Sequence, residues 1–246
     1  MKIKEEWISN QMGVDIDDDA FLRNPVICGT MFVSDRCLFD EEYEYIQKHN
    51  SEYLKLFESP TDYGSPLVFD VDGKTYNPND IHHLYHVCRY EHTAGKIRTK
   101  QNILEWGGGY GNMCKVLHMI YDDLIESYTI VDVPVFTSLT EKYLKNTIDD
   151  SNVTQVSVEN YENELDDNYS MFLSTWALSE SPKICTDFLE GRGILDAKRI
   201  LVALNKNGHA AFIDESEHLR NILFEKGVTV ENISAVQCSE NSYIFR

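Results

Sequence analysis

From about residue 101 the apolar positions alternate between two rhythms, the period of a strand and the period of a helix. NILEW (102–106) reads as a short strand, and NMCKVLHMIYDDL (112–124) reads as a helix with Met113, Val116, Leu117, Ile120 and Leu124 on one face. YTIVDV (128–133) is a second strand and FTSLTEKYLKNTI (136–148) a second helix. VTQVSV (153–158), YSMFLST (169–175) and RILVALN (199–205) read as three more strands. A helix at about 216–226 ends at Gly227, and two β-prone runs follow, VENISAVQ (230–237) and SYIFR (242–246). Alternation of this kind predicts an α/β fold with a mostly parallel sheet covered by helices. The last pair of runs has no helix between them, which predicts an antiparallel final strand.

Residues 1–98 read differently and are expected to form an N-terminal region that shapes substrate specificity, ahead of the α/β domain at 99–246. DEEYEYIQKHNSEYLKLFES (40–59) predicts a helix with Tyr43, Ile46, Leu54 and Phe57 turned inward. LVFDVDGKTY (67–76) alternates around Asp72-Gly73, a hairpin signal. NPNDIHHLYHVCRY (77–90) predicts a helix capped by Asn79 or Asp80, with Ile81, Leu84, Tyr85 and Cys88 at helical spacing.

The 246 residues suffice for one large α/β domain with an appendage. A net charge of −19 repels phosphate backbones and anionic bilayers, so nucleic acid is not an expected partner. A nucleotide fragment stays open, because a local site can differ from the average surface. The six cysteines (28, 37, 88, 114, 185 and 238) form no CxxC pair and predict free thiols in a reducing cytoplasm. MKIKEEWISNQMGVDIDDD turns acidic before any apolar core, unlike a signal peptide. No apolar run approaches the roughly 18 residues a spanning helix needs, so membrane insertion is not expected. The sequence is compatible with a homo-oligomer without requiring one.

The densest chemical signal is LEWGGGYGN (104–112), at the turn from the first strand of the sheet into its helix. Ligands of open α/β sheets bind at such turns, and glycine lets backbone approach a ligand. Glu105, Gly107, Gly109 and Gly111 complete E-x-G-x-G-x-G, and Gly108 fills the gap between the first two glycines. The dinucleotide pattern GxGxxG fails, because Asn112 stands where its third glycine is required. Asp132 lies 21 residues after Gly111, near the end of the next strand. A carboxylate there can accept hydrogen bonds from both ribose hydroxyls, a geometry that serves several nucleoside ligands. The structural alternative for Asp132 is a turn cap before Pro134.

The E-x-G-x-G-x-G segment resembles the first motif of class I S-adenosylmethionine-dependent methyltransferases. NDIHHLYHVCRYE (79–91), ILEWGGGYGNMCKVL (103–117), YTIVDVPV (128–135) and STWALSESP (174–182) together resemble sugar O-methyltransferases encoded with bacterial surface-polysaccharide genes. The resemblance covers about residues 78–205. It implies a Rossmann-like methyltransferase sheet, S-adenosyl-L-methionine as cofactor and a sugar or sugar nucleotide as acceptor. It also implies that the loop after the fourth strand, with Ser174 and Glu180, faces the transferred methyl, and that Glu159 and Asn160 after the third strand contact adenine. A nicotinamide-dependent oxidoreductase, a methyltransferase of another small metabolite and a non-catalytic binding module are the alternatives.

A sugar hydroxyl stays protonated near neutral pH, so transfer to it calls for a general base. The candidates are His82, His83, His86, Glu180, His209 and Glu215. His82, His86 and Arg89 share a helix face at i, i+4 and i+7, with His83 beside them. That face is also readable as a solvated polar surface or as half of a metal site lacking a third ligand. No resident metal is expected. Ser179 and Ser181 are alternatively helix caps ahead of Pro182.

Overall fold

A computed structural model describes residues 15, 18–31, 34–205, 213–232 and 241–246. Contacts divide the chain into two compact units that interleave along the sequence. A helical unit gathers Met1–Arg89, Gly109–Asp122 and Pro134–Ser151, and a sheet unit gathers Tyr90–Gly108, Asp123–Val133 and Asn152–Arg246. Contacts group the helices after the first two sheet strands with the N-terminal residues.

The helical unit contains α1 (Pro25–Thr30), α2 (Arg36–His49), α3 (Ser51–Leu54) and a hairpin of β1 (Phe69–Val71) with β2 (Lys74–Tyr76). It also holds α4 (Pro78–Ala94) as far as Arg89, α5 (Asn112–Tyr121) and α6 (Pro134–Lys145). The single helix expected over 40–59 is broken. Asn50, at φ −144° and ψ 45°, leaves helical geometry between α2 and α3. Asp35 starts α2 by accepting from the Leu38 N–H at 2.8 Å. The hairpin forms as its dipeptide predicts, with Asp72 and Gly73 at φ 55° and 79°. Both residues adopt the positive φ that a two-residue turn needs to match strand twist. Neither Asn79 nor Asp80 caps α4. The cap is Asn77, whose Oδ1 accepts from the Asn79 N–H at 2.9 Å, with Pro78 in the first turn. Aromatic rings fill the interior: Phe21, 1% exposed, meets Tyr63, Tyr110 and Tyr143 edge-on at 5.9, 6.3 and 6.0 Å between centroids.

The sheet unit is built on β3 (Gln101–Trp106), β4 (Ile125–Asp132), β5 (Val153–Ser157), β6 (Met171–Thr175), β7 (Arg199–Leu204), β8 (Thr229–Asn232) and β9 (Ser242–Phe245). Their order is β5-β4-β3-β6-β7-β9-β8. The pairs from β5 through β7 are parallel, and β9 runs antiparallel to both β7 and β8. This is a Rossmann-like α/β sheet with an antiparallel final strand, as the alternation predicts. Residues 233–237 of the penultimate run lie outside the described residues. The helices α7 (Tyr161–Glu164), α8 (Lys183–Gly191) and α9 (Ile213–Glu225) belong to the same unit. Leu104 and Trp106 of β3, Val131 of β4, Phe172 of β6 and Val202 of β7 pack with Leu189, Leu219 and Leu223 in one apolar core. That face of alternating positions orients each strand, since a one-residue slip would expose the whole set. Neighbouring β3 and β6 lead in opposite directions across the sheet, so the topological switch point lies at their carboxyl ends.

Candidate functional site

The glycine turn leaves β3 at that switch point. Gly107 takes φ 78° and donates its N–H to the Val131 carbonyl at 2.8 Å. A Cβ there would fall 1.9 Å from the Ala177 Cβ, and one on Gly108 would fall 2.5 Å from Ile130 Cγ2. The first two glycines are thus required by the protein's own packing.

Glu105 is buried at 1% exposure and accepts from the Tyr128 hydroxyl at 2.8 Å. Its carboxyl lies 3.2 Å from the Cβ position of Gly108, against the inner side of the turn. Burial pushes its pKa up to about 8; the nearby Asp132 charge adds to the rise and the Tyr128 bond opposes it. The carboxyl is therefore mainly protonated at neutral pH. An acid held above its ordinary value of 4.5 contributes stability that is fully present below about 4.5 and is lost as pH rises through about 8. Glu105→Gln should flatten this loss, which can reach about 1.4 kcal/mol per pH unit for one group. Parallel urea-stability curves for both proteins between pH 5 and 9 would count against a neutral Glu105.

Asp132 ends β4 at 6% exposure, and its Oδ1 accepts from the Val133 N–H at 2.7 Å. The carboxylate therefore stands at a strand end of the kind that binds ribose, while also holding the local turn. Glu159 and Asn160 are exposed just after β5. Ser174 is fully buried, donating to the Trp106 carbonyl at 2.8 Å and accepting from the Leu178 N–H at 3.0 Å. Its hydroxyl ties the ends of β3 and β6 together. After β6, Trp176 sits at φ 74° and ψ −40°, a strained backbone for a bulky side chain. Neither expected serine caps α8, whose first turn carries no side-chain cap. Ser179 donates to the Trp176 carbonyl at 2.6 Å, and Ser181 donates to the Ala177 carbonyl and accepts from Trp106 Nε1, both at 2.9 Å. Glu180 accepts from Asn205 Nδ2 at 3.2 Å.

In the helical unit, the residues beside the remaining glycines, Tyr110 and Asn112, meet the histidine helix. Gly111 takes φ 92° and accepts from the Lys115 N–H at 3.1 Å, opening α5. A Cβ on Gly109 would meet the Met31 sulfur at 3.0 Å, the flexible part of a thioether side chain. Gly109's carbonyl accepts from Thr140 Oγ1 at 2.7 Å. Tyr110 Oη accepts from Asn79 Nδ2 at 2.5 Å, and Asn112 Nδ2 donates to the Asn79 carbonyl at 3.2 Å. Asn112 thus links α4 to the turn, a use that the missing third glycine of a dinucleotide motif did not suggest.

Asn112 Nδ2 also lies 2.9 Å from His83 Nδ1, and Asn112 Oδ1 accepts from the Tyr143 hydroxyl at 3.1 Å. These partners orient the amide, so His83 Nδ1 accepts and its proton sits on Nε2. His82 Nδ1 lies 2.7 Å from Glu42 Oε1, and His82 Nε2 lies 3.1 Å from His86 Nε2. Beside them the Lys115 ammonium donates to Asp80 Oδ1 at 2.6 Å, with both side chains almost wholly buried. This corrects the reading of the histidine face as solvated. Burial holds His83 and His86 well below the ordinary histidine pKa, assisted by His82 and by Lys115 and Arg89 respectively. Neither is the unperturbed base the sequence suggests.

Glu42 is the residue sequence reasoning missed. Its signal was its spacing, i+3 from Phe39 and i−4 from Ile46, on the buried face of α2. His209 and the side chain of Glu215 lie outside the described residues. Among the described residues, no group of three or more His, Cys, Asp or Glu is arranged to hold a metal ion. Nor is any helix among them long and apolar enough to cross a membrane.

No family model and no curated protein matches the chain. Solved structures do. Fibrillarin in its complex with Nop5p aligns with 75% of this chain and 88% of its own, at 14% identity and a TM-score of 0.50. Fibrillarin from Aeropyrum pernix, crystallised with natively bound S-adenosyl-L-methionine, aligns with 77% and 85% at 13% identity and a TM-score of 0.48. NcsB1, an O-methyltransferase from neocarzinostatin biosynthesis in complex with S-adenosyl-L-homocysteine, aligns at 16% identity and a TM-score of 0.42. That alignment takes in 58% of this chain, which spans 48% of NcsB1. At these identities the likeness to fibrillarin concerns the fold alone.

Proposed function

We propose that this chain is an S-adenosylmethionine-dependent O-methyltransferase acting on a hydroxyl of a sugar or sugar nucleotide. The observation that carries the reading is the E-x-G-x-G-x-G turn leaving β3 at the switch point of the β5-β4-β3-β6-β7-β9-β8 sheet. The donor set fits such a cofactor. Asp132 brings a carboxylate to a strand end for ribose hydroxyls, and exposed Glu159 and Asn160 follow the next strand, where an adenine would be met. Acidic surroundings suit a sulfonium. When bound, the cofactor supplies an electrophilic methyl group. The chain's residues must then align the acceptor oxygen and take its proton.

A sugar acceptor is supported by the resemblance of segments 79–91, 103–117, 128–135 and 174–182 and by polar groups clustered beside the turn in the helical unit. Synthesis of surface polysaccharide is the setting we infer from that resemblance. Among the described residues, the free thiols of Cys28, Cys37 and Cys185 accord with a reducing cytoplasm. A homo-oligomer is compatible with this reading.

Calorimetry with S-adenosylhomocysteine and with NAD tests the cofactor, and a panel of nucleotide-linked sugars tests the acceptor. Asp132→Ala is expected to weaken S-adenosylhomocysteine binding by about 1.5–3 kcal/mol, the range for a hydrogen bond to a charged group. Tight NAD binding with none of S-adenosylhomocysteine would replace this reading with an oxidoreductase. An unchanged dissociation constant in Asp132→Ala would remove that residue from the site.

A further inference from the structure

In a chain with 41 acidic and 22 basic residues, cations from three distant stretches of sequence meet at one place. Lys100 precedes β3, Lys198 precedes β7, and Arg199 is the first residue of β7. Arg246 follows β9, which runs antiparallel to β7 and so ends beside its start. These four side chains, with Thr99 and Ser170, line an open cavity of about 360 Å³ at the amino ends of β3, β6 and β7. No acidic side chain lines it. All of its residues belong to the sheet unit. We propose that this cavity binds a phosphorylated small molecule through its phosphate groups.

Like charges around one cavity repel each other unless an anion enters between them. Lys100 and Lys198 are exposed and have no hydrogen-bond or ion-pair partner among the described residues. Arg199 and Arg246 are half-buried and held in place. Arg199 Nη1 donates to the Tyr90 hydroxyl at 2.7 Å and the Gly95 carbonyl at 3.2 Å, and its Nη2 to the Lys96 carbonyl at 3.2 Å. Arg246 Nη1 donates to the Ala197 carbonyl at 3.0 Å, and its Nη2 to the Lys226 carbonyl at 2.7 Å. All five partners are neutral, so neither positive charge is matched. Guanidiniums fixed in advance lower the ordering cost of binding. In both, Nε–H has no partner among the described residues and is left to donate. Of the acids close in sequence, Glu91 faces Lys96 at 3.7 Å and Asp196 meets Lys226 at 2.6 Å. Even a carboxylate on the main chain of Arg246 would leave three of the four charges unmatched.

Buried Gln101 shapes the wall between these cations. Its Nε2 donates to the Thr99 carbonyl at 2.8 Å and the Thr99 hydroxyl at 2.9 Å, and its Oε1 accepts from the Ser170 hydroxyl at 2.9 Å. The Thr99 hydroxyl accepts here and keeps its own proton to donate. Two ammonium groups, two guanidinium edges and a hydroxyl, with no carboxylate among them, are the donors that suit phosphate oxygens. The volume is that of a small-molecule site. A long nucleic acid strand would instead run onto the surface of a chain with a net charge of −19. A ligand here lies at the opposite end of β3 from the glycine turn, about 17 Å away by the length of the strand. It is a second ligand, and the site does not depend on the methyltransferase reading.

Calorimetry on the full chain at low ionic strength, with inorganic pyrophosphate and with ADP, tests the site. Both should bind. Lys100→Ala with Lys198→Ala should weaken pyrophosphate about tenfold or more, through the loss of charge-assisted hydrogen bonds. The urea midpoint of the unliganded protein should not fall, because both side chains are exposed and repel their neighbours. Lys100→Arg with Lys198→Arg should retain the affinity, and Lys55→Ala, at an exposed lysine of the helical unit, should leave it unchanged. Amide spectra of 15N-labelled protein locate the anion: pyrophosphate should shift residues 99–101 and 198–200 and leave Gly107 and Gly109 in place. ADP that binds more tightly than pyrophosphate and is displaced by it would mark a nucleotide as the source of the phosphate. Equal affinities would mark the phosphate group alone. No binding of either probe, unchanged affinity in the double alanine variant, an equal loss in Lys55→Ala, or shifts confined to the glycine turn would each overturn the site.

Discussion

Gly107→Ala is expected to cost about 2–5 kcal/mol of stability, combining an overpacked contact with an L residue in left-handed backbone. That is a large share of the roughly 5–15 kcal/mol that holds a domain folded. The added methyl would stand 1.9 Å from the Ala177 Cβ, and the backbone sits at φ 78°. Neither neighbour can swing aside, because both atoms are fixed to main chain. The two causes separate in a double-mutant cycle. Ala177→Gly should restore the steric part in a Gly107→Ala background and leave about 1–2 kcal/mol of backbone strain. Gly109→Ala is the control: its methyl meets only the mobile end of Met31, at 3.0 Å, so strain should dominate. Urea midpoints for the four proteins of the cycle decide the matter. A wild-type midpoint for Gly107→Ala would show that the turn is looser than these distances require.

The second large effect is expected at Lys115. Its ammonium and the Asp80 carboxylate are 2.6 Å apart, with side chains 4% and 2% exposed. Lys115→Met leaves a buried carboxylate without its cation and should cost about 3–5 kcal/mol. Asp80→Asn with Lys115→Met should be markedly milder than the single change, because it removes the orphaned charge. The pair also stands beside His83, so its loss should disturb the His83 signal in 15N spectra of histidine-labelled protein. A Lys115→Met protein within about 1 kcal/mol of wild type would mean that Asp80 takes up a proton or another partner at little cost.

The packing constraint on Gly107, the ion pair of Lys115 and the place of Glu42 lay outside the sequence reading for a common reason. Each is defined by a partner remote in the chain: Gly107 by Ala177, Lys115 by Asp80, Glu42 by His82. The histidines were visible as candidates, but a row of them on a helix looks the same whether water or protein covers it. Only packing buried His86 and set Asn112 against the His83 ring. Ser174 depends on packing in the same way, its hydroxyl bonding Trp106 and Leu178.

What the chain determined by itself is what local physics can decide. Strand and helix periods at 101–204 were legible because burial on one face imposes a period of two or about 3.6 on any segment. Asp72-Gly73 announced its hairpin because few residue pairs accept two positive φ angles. The E-x-G-x-G-x-G spacing and Asp132 marked the carboxyl ends of β3 and β4, since those positions follow from connectivity alone. The break at Asn50, the cap at Asn77 and the Glu42–His82–His86 chain were settled by tertiary structure. Helix propensity differs by only about 0.7 kcal/mol among ordinary residues, so small packing gains move an element's end. Pairing of groups dozens of residues apart depends on which faces meet, and no local preference encodes that meeting.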